Sequence, residues 1–398
     1  MADQDQALER LRALVWTDEH LAARLAGIEN LEVFAGEAAC AAGAHGIRLD
    51  PRAIAAAAPS DPALARLHLP LPATADHWPD AHWLPVHVGV FTPSPFVVWA
   101  HAGAAPLQGA LEQRALVEMA NRPFNRLFLQ RMALAGFVAG AAANEAPAPA
   151  GFLFHMSRCG STLAARMLGA VEGSLVVSEL PPVNDALLLA HITPHLIAAQ
   201  RIAIVRAILS AYGRTHADAA APWFVRFDAW AALALPLVRA AYPDTPFVLL
   251  HRDPAEVLAS HAASPGRDLV SGFMAQQVWQ IDGAGQMSTD ELTAIALGRI
   301  CRSAADHLGD GRAAAVGYRD LPDALWTTIL PHLGIACDDA LRRRMQSVAS
   351  RDSRAPESVP FSPRAGIRPE DRQRLEALVS RHVAEAYRRL STASQSSS

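Results

Sequence analysis

The sequence contains no lysine: all 35 basic residues among its 398 are arginine. That absence removes whole classes of chemistry. A Walker-type loop reads G-x-x-x-x-G-K followed by Ser or Thr, with the lysine on the β- and γ-phosphates, and kinases built on a strand lysine or enzymes that form Schiff bases lose their central residue in the same way. Cysteine is scarce as well. Cys40, Cys159, Cys301 and Cys337 lie far apart with no C-x-x-C spacing, so neither a zinc site nor a disulfide framework is indicated; all but Cys159 read as core residues. Long apolar runs are missing: the stretch from Met132 to Ala143 falls well short of a membrane span. The amino terminus, MADQDQALERLRAL, is charged from the start and has no apolar secretion segment. No membrane span and a cytoplasmic location are therefore expected. Excess charge is absent too, with a formal net charge of −4 and a pI near 6.5. Nucleic acid is not expected as a partner, and local arginines must do any anion binding.

What is present is a large apolar fraction, 51%, with 19% charged residues, enough for a soluble globular chain with one substantial core and appended modules. Leucines at helical spacing predict helices over Asp3 to Val15 and Asp18 to Ile28, with Thr17, Asp18 and Glu19 supplying a cap and an acidic first turn. A third helix follows from Asn30 and a short fourth from Asp50, whose successor Pro51 suits the first helical position. Two strands are expected between Trp83 and His101, the second being PFVVWAH. The histidines around them, His77, His82, His87 and His101, have no metal-ligand spacing and read as ordinary polar and core residues; no metal is expected. A long helical region is expected from Leu107 to Ala143, broken near Pro123, before a proline-containing linker.

The stretch Gly151 to Leu168, GFLFHMSRCGSTLAARML, organises the remainder. An apolar strand enters a polar turn at Ser157 to Thr162, and a helix-forming segment follows. Gly160 lets the backbone approach an anion, and the N–H groups opening the helix have no partner within it. His155 stands where the first Walker glycine belongs and Ser161 where the lysine belongs. Strands then recur at 174–179, 223–227, 246–251 and 313–318, separated by helical segments at 194–212, 228–241, after Arg252, and 289–308. This alternation predicts an open α/β fold with a parallel sheet. Further helices are expected at 324–333 and 370–390, an irregular stretch at 350–369, and a disordered tail at 391–398.

Ligands of such sheets sit beyond the carboxyl ends of the strands. Arg158, Glu179, Arg226 and Arg252 each fall at one of those ends, and Ser260 lies two helical turns beyond Arg252. Together these residues resemble the sulfotransferase superfamily over about 151–365. In that family a basic residue followed by Ser-Gly-Thr and then Thr or Ser binds the 5′-phosphosulfate of 3′-phosphoadenosine 5′-phosphosulfate. SRCGSTL fits with Arg158, Gly160, Ser161 and Thr162, and departs from the pattern at Cys159. The second family motif, R-D-P-x-x-x-x-x-S, matches Arg252, Asp253, Pro254 and Ser260.

The resemblance implies a P-loop NTPase-like open parallel sheet flanked by helices, with a mostly helical N-terminal extension. It also implies a cofactor-binding set of Arg158, Cys159, Gly160, Ser161, Thr162, Arg252, Ser260, Tyr318, Ser353 and Arg354, of which Arg252 and Ser260 would hold the 3′-phosphate. Tyr318 would lie near the adenine, and Ser353 and Arg354 in a loop over the nucleotide. Sulfuryl transfer needs a base for the acceptor proton and positive charge on the leaving phosphate. Glu179 is the candidate base; Arg158, helped by Arg226 at a position where, by the resemblance, many relatives carry lysine, is the candidate stabiliser. Cys159, beside Arg158 and a helix start, is expected to have a lowered pKa. A protein that keeps the nucleotide fold but has lost turnover is the competing expectation. The acceptor is expected to be a small molecule or peptide.

The domain organisation expected is a small helical module at 1–60, a mixed accessory region at 61–150, the α/β domain at 151–390 and the tail. The helical module weakly resembles the nitrogen-fixation-associated leader-peptide family, on the acid-led second helix, the turn at Ala38 to Gly43 and Ile47.

Overall fold

The computed structural model describes residues 2–69, 74–103, 107–216, 221–264, 274–309, 311–350 and 369–395. The helical prefix forms as its caps dictate. Helices α1 (Ala2–Thr17), α2 (Glu19–Ala26), α3 (Leu31–Ala44) and α4 (Pro51–Ala57) follow one another. Asp18 caps α2 by accepting from Leu21 N at 2.9 Å, and Asn30 and Asp50 cap the next two in the same manner. Leu8, Leu11, Leu21, Leu25 and Phe34 are buried, each such side chain contributing about 1.5–3 kcal/mol by leaving water.

Strands β1 (Trp83–Gly89) and β2 (Phe96–His101) pair antiparallel. The long helical region expected over 107–143, with a break near Pro123, is divided into five shorter elements, of which α6 opens at that proline: β3 (Gly109–Leu111), α5 (Gln113–Ala120), α6 (Pro123–Phe128), β4 (Gln130–Ala133) and α7 (Leu134–Gly140). The physical reason is partnership. β4 finds β2, with Val97 opposite Met132, and β3 finds the edge of the large sheet; a run of three or four residues carries no periodicity that distinguishes it from a helix turn. The prefix packs on this region, where Phe34 meets Phe128 edge-on at 6.1 Å and Arg12 Nε donates to Leu127 O at 3.0 Å.

The large sheet is parallel and open, flanked by helices. Its strands β5 (Gly151–His155), β6 (Leu175–Ser178), β7 (Trp223–Arg226), β8 (Phe247–His251) and β9 (Ala313–Gly317) join β3 in the order β3-β6-β7-β5-β8-β9. Both faces are covered, so strands such as FVLLH are buried throughout. Helices α8 (Ser161–Leu168), α9 (Pro181–Ile192), α10 (Ala198–Gly213), α11 (Leu235–Ala241) and α12 (Pro254–Ala263) connect the first four of these strands and leave the fourth. Where prolines at 181 and 182 mark the end of β6, they also open α9, because proline needs no N–H at the first helical positions. The connection leaving β5 runs toward β6 on one side, while the one leaving β8 runs toward β9 on the other. A crevice therefore opens between the carboxyl ends of β5 and β8.

The chain beyond β9 closes with helices Asp339–Ala349, Pro369–His382 and Ala384–Gln395. The last of these runs into the stretch read as a tail. Of the cysteines, Cys159 and Cys301 are buried, whereas Cys40 is exposed and Cys337 half-buried, so two of the three expected in the core are not there. No helix of the described residues is long and apolar enough to cross a membrane.

Candidate anion-binding and transfer site

The crevice is built by the turn after β5. Ser157, Arg158 and Gly160 adopt positive φ of 70°, 52° and 85°, so the chain curls tightly and its amides are presented at the start of α8. Glycine suits position 160: φ 85° strains any residue with a side chain, and a Cβ there would lie 2.7 Å from Leu321 Cδ1 and 3.1 Å from Tyr318 Cδ2, so that those side chains would have to shift. The turn is held from below. Cys159 Sγ donates to Leu250 O at 3.2 Å and Met156 N to the same carbonyl at 3.2 Å, while His261 Nε2 and Ser157 Oγ lie 3.1 Å apart.

The two motifs, 94 residues apart in sequence, meet directly. Arg252 Nη1 donates to Arg158 O at 3.2 Å, and Arg158 Nη2 donates to Ser264 O at 2.7 Å. Arg252 also stacks over the Tyr318 ring at 4.3 Å and pairs with Glu256 through Nε at 2.7 Å. Burial would raise the Glu256 carboxyl, but the Arg252 hydrogen bond and the nearby Arg319 hold it below the ordinary range. Asp253 caps α12 through Ala255 N and Glu256 N, with Pro254 at the first position, and Ser260 is half-buried two turns on. Beside them a cavity of about 260 Å³ is lined by His251, Arg252, Asp253, Gly317, Tyr318, Arg319 and Tyr387.

On the other side of β5, parallel register places Ser178 beside Arg226, and Glu179 N donates to Arg226 O at 2.8 Å. Arg226, buried, spans the site: Nη1 donates to Ser178 Oγ at 2.9 Å, and Nη2 to Thr162 Oγ1 at 3.1 Å and to Glu179 Oε1 at 2.6 Å. Glu179 sits at φ 49°, and its side chain is 30% exposed, so the carboxylate keeps contact with solvent.

Arg158, Gly160, Ser161, Thr162, Glu179 and Arg226 are thus gathered around one turn, with Arg252 and Tyr318 adjoining. Ser353 and Arg354 lie outside the described residues. Cys159 requires correction: it points into the core with no exposed surface, and burial pushes its thiol up to about 12, the opposite of the expected lowering. Only its backbone faces the turn. His155, not among the residues expected at the site, joins them. Its Nε2 lies 2.9 Å from Glu179 Oε1, and its Nδ1 accepts from Ser157 N at 3.0 Å. A histidine ending an otherwise apolar strand was the available signal.

Asp80, His82 and His101 also bring their ligand atoms within 4.8 Å of one another. His101 Nδ1 accepts from Gly103 N at 3.0 Å, so a neutral ring carries its proton on Nε2, the nitrogen a metal would need.

The arrangement defines a class: an open parallel α/β sheet with a tight, glycine-containing turn into a helix at its switch point and a carboxylate–guanidinium pair alongside. Residues 149–339 match the model of the sulfotransferase family. Similar solved structures include the sulfotransferase STF9 from Mycobacterium avium, 11% identical with a TM-score of 0.42, the match covering 68% of this chain and 84% of that one. STF1 from Mycobacterium tuberculosis is 15% identical with a TM-score of 0.36, covering 66% and 83%. A sulfotransferase from Alicyclobacillus acidocaldarius is 15% identical with a TM-score of 0.37, covering 63% and 96%. No curated protein matches the sequence.

Proposed function

We propose that the protein transfers a sulfuryl group from 3′-phosphoadenosine 5′-phosphosulfate to a hydroxyl or amine of a small-molecule or peptide acceptor. The observation that carries this reading is the direct junction of the two arginine motifs, Arg252 Nη1 on Arg158 O, at the switch point of the sheet. The donor set suits a bisphosphorylated nucleotide. Amides at the Gly160–Thr162 turn and the guanidinium of Arg158 would hold the 5′ end, Arg252 and Ser260 the 3′-phosphate, and Tyr318 would border the base.

In this mechanism Glu179 takes the acceptor's proton as the acceptor oxygen or nitrogen bonds to sulfur. Arg158 and Arg226 offset the charge gained by the 5′-phosphate as its bond to sulfur breaks. The products are the sulfated acceptor and 3′,5′-bisphosphate. The fork of Arg226 reaches Ser178, Thr162 and Glu179 together, which a lysine's single ammonium on a flexible stem would hold less firmly.

One observation favours a second reading, a nucleotide-binding protein with little turnover: Glu179 Oε1 already lies against both Arg226 and His155, and a carboxylate engaged in an ion pair is a weaker base than a free one. Release of 3′,5′-bisphosphate from labelled donor separates the two. Release that collapses in Glu179→Ala supports transfer; nucleotide binding without release supports the second reading.

A further inference from the structure

We propose that His155 is a positioning residue that ties the anion-binding turn to Glu179, so that the turn and the carboxylate are held in one geometry. The inference rests on the sulfuryl-transfer reading for its kinetic consequence, and on the hydrogen-bond pattern alone for its structural one.

His155 ends β5 and is buried at 3% exposure. Its two ring nitrogens face different partners. Nδ1 can only accept from Ser157 N, at 3.0 Å, because a backbone N–H is a donor. A neutral imidazole that accepts at Nδ1 carries its proton at Nε2. That proton is directed at Glu179 Oε1, 2.9 Å away. Burial, acting against the attraction of Glu179, holds the imidazole below its ordinary range and keeps it neutral.

The ring is thus a rigid strut with a fixed tautomer. One end fastens the amide of Ser157, the first of the left-handed residues that aim Arg158 and the helix start. The other end, with Arg226 Nη2, grips one oxygen of the carboxylate. Ser157 Oγ is engaged in turn near His261 Nε2, so the turn is braced from α12 as well. Glycine at this position, as in a Walker loop, would supply neither bond. The titratable groups facing the ring are Glu179 and Arg226.

Two substitutions separate the two ends. In His155→Asn the amide oxygen can still accept from Ser157 N but nothing reaches Glu179. In His155→Gln the longer amide can still donate to Glu179. The expected result is a kcat for bisphosphate release lowered about 10–100-fold in His155→Asn, with bisphosphate affinity unchanged within about twofold. In His155→Gln, which keeps the carboxylate contact and frees the turn, the expected loss falls on bisphosphate affinity, several-fold, with kcat lowered less than in His155→Asn. Wild-type kcat in His155→Asn, wild-type affinity in His155→Gln, or the same change in both variants would overturn the inference.

A second measurement is independent of turnover. With ¹⁵N-labelled histidine, the His155 ring, assigned by its disappearance in His155→Gln, should show the Nε2–H tautomer from pH 6 to 8, and its Nε2 resonance should move in Glu179→Ala. An Nδ1–H tautomer or an unmoved resonance would refute the coupling. If the wild-type protein releases no bisphosphate, the transfer reading fails while the resonance still decides the role of His155.

Discussion

Nη2 of Arg226 lies 2.6 Å from Oε1 of Glu179, at the ends of two adjacent parallel strands. The guanidinium is 6% exposed and the carboxylate 30%, so the arginine depends on this partner for compensation of a buried charge. Removing one member of a buried pair is costly because the other is left behind. Glu179→Ala should therefore lower stability by about 1–3 kcal/mol, and Glu179→Gln, which keeps an acceptor oxygen for Arg226, by less. Chemical denaturation of the two variants checks this; equal stability of Glu179→Ala and wild type would show that the pair is not structural.

Gly160→Ala places a methyl group on a residue at φ 85° and against Leu321 and Tyr318. The backbone conformation alone costs about 1–2 kcal/mol. Loss of stability in denaturation should be accompanied by weaker binding of 3′,5′-bisphosphate in calorimetry, since Gly160 shapes the turn and Tyr318 borders the cavity.

The thiols should react in the order of their exposure. Cys159 and Cys301 are buried, with burial pushing both up to about 12, so neither presents a thiolate near neutral pH. Iodoacetamide at pH 8 should modify Cys40 in the native protein and leave Cys159 and Cys301 intact until denaturant is added. Mass spectrometry of the alkylated peptides reports the order. Rapid native labelling of Cys159 would return it to the reactive surface of the turn.

Stability should fall as the medium is acidified below the ordinary imidazole range. His101 is buried, which lowers it to about 4, the attraction of Asp80 only partly opposing that shift and His82 and Arg122 adding to it. A histidine whose folded pKa is depressed contributes stability above its unfolded value near 6.5, and the contribution is lost as pH falls from there through the folded value. The span corresponds to up to about 3 kcal/mol. His101→Asn, whose amide oxygen can accept from Gly103 N in place of Nδ1, should flatten the dependence of melting temperature on pH between 6.5 and 4. An unchanged slope would assign the dependence elsewhere.

The site was legible in sequence to the extent that its residues follow strand ends. Arg158 and Arg252 could be placed because FLF and FVLL are short buried apolar runs that stop at polar turns, and alternation with helices then aligns those stops along one sheet edge. What the linear order hides is register and side-chain direction. The contact between Glu179 and Arg226 follows from β6 and β7 being neighbours with Ser178 opposite Arg226, a pairing that no local pattern encodes. Cys159 sits between Arg158 and Gly160 in sequence, yet its side chain turns inward toward Leu250 O, so proximity to an arginine and a helix start says nothing about its thiol. β3 was illegible for a different reason: three residues gain their conformation from the edge of β6, and tertiary pairing outweighs the helical propensity of the surrounding run.

The central claim, sulfuryl transfer at the turn after β5, is tested most directly by following ³⁵S from labelled 3′-phosphoadenosine 5′-phosphosulfate into a pool of hydroxyl- and amine-bearing acceptors, with 3′,5′-bisphosphate measured in the same samples. Labelled product and bisphosphate are expected in equal amounts with the wild-type protein, with rates at least about 100-fold lower for Glu179→Ala. Nucleotide binding with no labelled product, or equal rates in both proteins, would contradict it.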